Sequence, residues 1–182
     1  MLNATEARKI LDEADLIHSA EAVAEAVARV AAEVTERLGD SHPVVLSVMG
    51  GAVVFTGHLL PLLRFPLEFD YVHVTRYGAA TSGGELRWIA TPRMSLAGRT
   101  VLVVDDILDE GITLKAIRER VLELGATACC TAVFADKITG REKPIAADFV
   151  GLSLPNRYVF GYGMDVRGAW RNLPAVYAVK GL

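Results

Sequence analysis

The apolar positions of this chain change period several times, and each change marks an element. Residues 5–14 carry a short helical pattern. Ser19 then stands as a cap before an Ala-, Val- and Glu-rich helical stretch ending at Leu38, with Gly39 placed to stop it. The charges of that stretch form a solvated face. Aliphatic runs without alternation, at residues 44–49, 101–104 and 126–135, predict strands buried on both faces, as parallel sheets require. Gly50-Gly51 is a tight loop, and residues 52–63 predict a helix disturbed near its end by Pro61. Residues 67–75 give a further strand. Residues 76–85 are rich in Gly, Ser, Thr and Ala with no hydrophobic period, and a short strand follows at 86–91, which predicts a mobile loop on a hairpin. From Thr113 the spacing is helical again, with Leu114, Ile117, Val121 and Leu124 on one face and Gly125 at the end.

Strands alternating with helices predict an α/β fold: a central, mainly parallel sheet flanked by helices, with ligands outside the carboxyl ends of the strands. From Lys143 onward short apolar runs mix with Pro, Gly and aromatics, and no helical period is present. That stretch, 143–182, is expected to form a small C-terminal hood over a core of about 40–140, with the N-terminal helices packed on the core in a single domain spanning 1–182.

Composition narrows the partners more than the fold. The 182 residues are 52% hydrophobic and 23% charged, with a formal net charge of -3, so nucleic acid and anionic membrane find no general attraction. Any phosphate binding must be local. Cys129 and Cys130 are adjacent in an apolar run, where neighbouring side chains point to opposite faces, and read as buried thiols. The start MLNATEARKI lacks the pattern of a secretory signal, and no apolar segment reaches membrane-spanning length; the expected location is cytoplasmic.

The chemistry concentrates in VLVVDDILDEGITL, residues 101–114. A buried strand leads to the adjacent acids Asp105 and Asp106, then to Asp109-Glu110-Gly111-Ile112-Thr113 at a helix start. Backbone N–H groups there, with the Thr113 hydroxyl, would bind phosphate. Acids so near an anion site make sense facing another part of the same ligand: ribose hydroxyls, Mg2+ or a proton to be removed. A phosphorylated sugar with a metal follows. An ordinary strand-loop-helix unit whose Asp caps the helix would use one acid and leave the others unexplained.

This stretch resembles the phosphoribosyl pyrophosphate (PRPP) motif of the type I phosphoribosyltransferases, in which two acids precede a loop that cradles the 5-phosphate. Glu110 departs from the small hydroxyl residue usual there, so its backbone N–H would serve. Met49-Gly50-Gly51 resembles the family's pyrophosphate loop, with Met49 where many members carry Lys. Arg76-Tyr77-Gly78 occupies the position of the flexible catalytic loop, whose closure would keep water from an oxocarbenium-like centre. The stretch DFVGLSLPNRYVFGYGMD, 148–165, is similar to the purine-binding end of the hypoxanthine-guanine phosphoribosyltransferases.

The resemblance implies a role for each matching residue. Lys137 would donate to the purine 6-oxo group, Tyr158 would stack on the base, and the Val159 backbone would pair with its Watson-Crick edge. Asp165 would lie by the pyrophosphate with Mg2+, and Arg171 would contact the leaving diphosphate. Asp105 and Asp106 would hold the ribose hydroxyls and help hold the metal, and Asp109 would act beside purine N7. Dimers or tetramers are usual in that family. Taken alone, Lys137 reads equally well as solvated, Tyr158 as core and Asp165 as a helix cap or surface partner; their joint fit to one ligand decides. Two rivals stand beside this reading: a transferase for xanthine, adenine or a pyrimidine, and a regulatory nucleic-acid-binding protein on the same scaffold. The latter would need a basic face.

Overall fold

A computed structural model describes residues 2–77 and 85–181. Helix α1 (Ala4–Glu13) starts with a reciprocal cap, in which the Asn3 side chain accepts from the Glu6 N–H and the Glu6 carboxylate accepts from the Asn3 N–H. A short strand, β1 (Asp15–His18), follows. In α2 (Ala20–Leu38) the Ser19 hydroxyl accepts from the Ala22 N–H, and Val23, Val27, Val30, Val34 and Leu38 form the buried stripe. Next come β2 (Val44–Met49), α3 (Val53–Leu59), β3 (Glu68–Tyr77), β4 (Glu85–Ala90) and β5 (Thr100–Leu108). They are followed by α4 (Ile112–Glu123), β6 (Ala128–Lys137), β7 (Phe149–Leu154), β8 (Val159–Phe160) and β9 (Val176–Ala178).

Six strands form the main sheet in the order β4-β3-β2-β5-β6-β7, every neighbour parallel except the antiparallel β3–β4 pair. The expected α/β architecture is the observed one. Alternate residues of the buried strands feed two cores. Val45, Leu102, Val104, Cys130, Ala132 and Phe134 face α2, α3 and the hood, whereas Val44, Leu46, Val101, Val103, Cys129 and Val133 face α4. The two cysteines are free, buried and on opposite faces, as strand alternation demands. Phe134 of β6 packs 5.8 Å from Phe55 of α3 and 4.3 Å from Tyr162, ring to ring, and so ties sheet, helix and hood. Such aromatic pairs add about 0.5–1.5 kcal/mol beyond the area they bury. Among the described residues no helix is long and apolar enough to cross a membrane.

Four details differ from the sequence reading. The helix expected at 52–63 is α for Val53–Leu59 and tightens to a 3-10 turn at Leu60–Leu62, because Pro61 has no N–H to continue the ladder. Strand β5 does not stop at Val104; it carries Asp105 and Asp106 within it and pairs with β6 as far as Leu108–Asp136. The hood is smaller than 143–182, since β7 is the sixth strand of the main sheet. Instead the hood is a three-stranded antiparallel sheet, β1-β9-β8, built partly from the N-terminus. Arg76 and Tyr77, expected in the loop, are instead the last two residues of β3, in register with Leu86 and Glu85 of β4, because backbone pairing continues past the end of the apolar pattern; the rest of the expected loop, 78–84, lies outside the described residues, as do the side chains of Arg76 and Tyr77.

Candidate active site

Beyond the carboxyl ends of β2, β3 and β5 lies a hollow of about 490 Å³. Asp105 and Asp106 reach it from β5, Met49, Gly50 and Gly51 from the turn after β2, and Asp109, Glu110, Gly111 and Thr113 from the turn into α4. Gly111 is the N-cap of α4 in the left-handed conformation, φ +79°, and no side chain caps that helix. The first turn therefore offers its N–H dipoles toward the hollow, the condition for holding a phosphate. The Ile112 side chain lines a neighbouring hollow instead, so at that position only the backbone can serve the phosphate.

The acid pair is under electrostatic stress. Burial pushes the Asp105 carboxyl well above the ordinary carboxylate range, and the adjacent Asp106 charge pushes it further. Burial also raises Asp106, while its hydrogen bond with Asp105 and the positive charge of Arg171 act the other way. The Asp106 N–H donates to Asp105 Oδ1 at 2.9 Å. A buried carboxylate beside a partly buried one is costly unless a cation or hydroxyl donors meet them. Among the described residues no three His, Cys, Asp or Glu side chains form a ready cation cage. A cation here would take carboxylate oxygens from the pair and complete its shell with ligand oxygens and water, which is how Mg2+ is usually held.

Gly51 sits where a side chain cannot. A Cβ there would lie 1.9 Å from Asp106 Oδ2, and a Cβ on Gly163 of the hood would lie 2.2 Å from the Gly51 carbonyl oxygen. Hood, loop and acid strand thus stack in direct contact. Arg171 clamps the same stack: one guanidinium nitrogen donates to the Gly163 carbonyl at 2.6 Å, and another is ion-paired with Asp165. Asp165 also accepts from the Gly168 N–H at 2.6 Å. The Met49–Gly50 peptide is cis.

A second hollow, of about 220 Å³, adjoins the first and shares Asp106, Ile107, Asp109, Asp165 and Arg171 with it. Lys137, Tyr158, Val159 and Met164 complete its wall. Tyr158 is 44% exposed, free to offer a ring face, and Val159 lies on β8, an edge of the hood sheet. The Lys137 side chain is only 16% exposed, and its ammonium donates to Asp109 Oδ2 at 3.2 Å. Apart from the Ile112 side chain, and from Arg76 and Tyr77, whose side chains lie outside the described residues, the chain brings the expected residues into one continuous site with two compartments.

Sequence reasoning missed His73 and Thr75 of β3, which line the larger hollow, and Ile107 and Met164, which line the smaller. A signal for the first two existed. Met49 and His73 are paired in register on parallel strands, so the carboxyl-end rule applied to β3 points at them.

Known proteins are similar to this chain in sequence and in fold. The family model described as the phosphoribosyl transferase domain matches residues 13–167. The hypoxanthine-guanine phosphoribosyltransferase of Bacillus subtilis (strain 168) is 35% identical over 163 residues, covering 89% of this chain and 91% of that protein. The hypoxanthine-guanine-xanthine phosphoribosyltransferase of Tritrichomonas foetus is 32% identical over 166 residues, 91% of each. A crystal structure of a hypoxanthine phosphoribosyltransferase from Staphylococcus aureus superposes with a TM-score of 0.88 at 26% identity, covering 99% of this chain and 97% of that one. An acid pair beside an uncapped helix start, a glycine loop under it and a lysine-lined second pocket are thus carried on a shared sequence and a shared fold: the chain belongs to the phosphoribosyltransferases, in their hypoxanthine-guanine family.

Proposed function

We propose that the protein transfers the 5-phosphoribosyl group of PRPP to N9 of hypoxanthine or guanine, with Mg2+, giving IMP or GMP and pyrophosphate. The observation that carries this reading is the pair of adjoining hollows. One has an uncapped helix start and buried acids for a phosphorylated sugar; the other has a donor lysine and an exposed aromatic ring for a base. Asp105 and Asp106 hold the ribose hydroxyls, and their charge favours the cationic sugar carbon of the transition state. The Asp109–Thr113 backbone holds the 5-phosphate, while the Met49–Gly50 backbone and Arg171 hold the diphosphate as it leaves. Tyr158 stacks on the base, Lys137 donates to its 6-oxo group and the Val159 backbone pairs with its edge. Asp109 stabilises or accepts the N7 proton as N9 attacks.

Asp105, Asp106 and Asp165 would hold Mg2+ with substrate oxygens, and the ion would supply charge neutralisation for the departing diphosphate. Positioning and electrostatics supply most of the barrier reduction. The whole chain acts as one phosphoribosyltransferase domain, in a homodimer or homotetramer measurable by light scattering. A cytoplasmic location suits its free, buried thiols.

Pyrophosphate release with hypoxanthine, guanine, xanthine, adenine and uracil, with and without Mg2+, tests the reading. Turnover of the 6-oxopurines, dependent on Mg2+, is expected. A preference for adenine or uracil, or no turnover of any base, would replace it.

The acid pair gives a second expectation, in which binding and stability move in opposite directions. Asp105→Asn keeps an oxygen for the Asp106 N–H and removes the buried member of the acid pair. Because folding raises this carboxyl, the folded state loses stability as pH rises from the ordinary carboxylate value through the raised one. The variant should therefore melt higher than wild type, by roughly 2–4 °C for each kcal/mol relieved, and more so at pH 8 than at pH 5. PRPP binding should weaken, and its Mg2+ dependence should change. Melting curves without ligand and calorimetric titration of PRPP at several Mg2+ concentrations measure both halves; wild-type PRPP curves would show that the acids merely belong to the strand.

A further inference from the structure

The backbone ladder between β5 and β6 ends at the Leu108–Asp136 pair, one residue short of Asp109 and Lys137. The chains part there. Asp109 enters the turn into α4, while the Ile138 N–H donates to the Leu154 carbonyl at 2.8 Å, toward β7. An ammonium group occupies the gap. Lys143, from the connection between β6 and β7, donates to the Leu108 carbonyl at 2.7 Å, to the Lys137 carbonyl at 2.6 Å and to the Asp136 carboxylate.

Three N–H groups meet three acceptors, and the side chain is 13% exposed. A lysine placed for solubility keeps its ammonium in water; withdrawing it is compensated only by a full set of partners. The next two residues extend the contact to the phosphate turn. A Cβ on Gly111 would come 3.3 Å from Pro144 Cδ and 3.2 Å from Ile145 Cγ2, so this short segment touches the strand ends and the start of α4 together.

We propose that Lys143 is a positioning residue, the last rung between β5 and β6, which sets the spacing of Asp109 and Lys137. The proposal rests on the phosphoribosyltransferase reading above. It matters because N7 and the 6-oxo oxygen are neighbouring atoms on one edge of the purine ring. Two side chains assigned to neighbouring atoms must be held at a matching separation. The two side chains meet in the Lys137–Asp109 ion pair, but no β5–β6 rung joins their backbones; the Lys143 ammonium, bonded to the carbonyls of Leu108 and Lys137, makes that join.

The test is steady-state kinetics with hypoxanthine and PRPP, together with melting temperatures, on wild type, Lys143→Met, Lys143→Arg and Asp136→Asn. Lys143→Met should lower kcat/KM for hypoxanthine about ten- to a hundred-fold, as misplacement of reacting groups does, with the PRPP KM moving less than about three-fold. Lys143→Arg should recover part of the loss. Asp136→Asn leaves both carbonyl bonds in place and should stay within about three-fold of wild type. In a Lys137→Gln background Lys143→Met should add little, because one of the two groups it positions is already gone.

Additive losses in that background, or a Lys143→Met protein with wild-type kcat/KM, would overturn the positioning role. If Lys143→Met does not fold, Lys143→Arg decides by the same criteria. Wild-type protein that does not turn over hypoxanthine overturns the function and the proposal together; an active wild type with unaffected variants overturns only the role of Lys143.

Discussion

Lys137→Gln should cut kcat/KM for hypoxanthine and guanine together and narrow the gap between them and adenine. An ammonium has only donors, so it suits a 6-oxo acceptor and opposes the 6-amino group. In the unmodified protein adenine should be a very poor substrate, by several orders of magnitude, because a mismatched base leaves a buried charged donor without its partner. The structure makes the penalty concrete. Lys137 is largely buried and spends one donor on Asp109, so its remaining donors need an acceptor, which a 6-oxo oxygen supplies and a 6-amino group does not. An amide at this position can accept as well as donate, which lowers the barrier to adenine. The measurement is kcat/KM for the three bases on both proteins. Efficient adenine turnover by wild type, or an unchanged base profile in the variant, would remove Lys137 from base recognition.

Asp109→Asn should lower kcat roughly ten-fold to a thousand-fold with small changes in KM. An amide keeps the shape of the carboxylate but neither accepts the N7 proton nor stabilises positive charge there. The ion pair adds a second signature. With the carboxylate gone Lys137 has one competitor fewer in the free enzyme, so the KM for hypoxanthine should hold steady or fall while kcat drops. Where product release limits turnover, single-turnover rates carry the comparison. Wild-type single-turnover rates in the variant would take Asp109 out of the chemistry.

The sequence was most legible where one strong local rule acted alone. The all-aliphatic run at Val44–Met49 reads as a strand to the residue, and Ser19 as the cap of α2, since burial on both faces and N-capping are local demands. Strand β5 was read short because its apolar run ends at Val104. Its pairing with β6 continues regardless of polarity and carries the two acids into the site. Strand β1 was not legible at all: four residues with half their side chains exposed owe their conformation to β9, at the other end of the chain. The composition of 143–182 suggested one hood, yet β7 within it has enough apolar residues to extend the main sheet.

Among the site residues, Asp105, Asp106, Lys137 and Tyr158 were legible through a joint fit to one ligand. Lys143 was not. Two of its three acceptors are backbone carbonyls, which leave no mark on the sequence.

The sheet β1-β9-β8 has a bearing on how the protein is made. Its central strand, Val176–Ala178, pairs on one side with Asp15–His18 and on the other with Val159–Phe160. A chain emerging from the ribosome can pair β2, β5 and β6 as each appears, but β1 must wait unpartnered until nearly all the rest has been synthesised. Contacts this distant in sequence form late and slowly, since they require closure of almost the whole chain. The pocket wall that carries Tyr158 and Val159 is therefore the final part to assemble, and a nascent chain acquires its phosphate turn well before it acquires a place for the base.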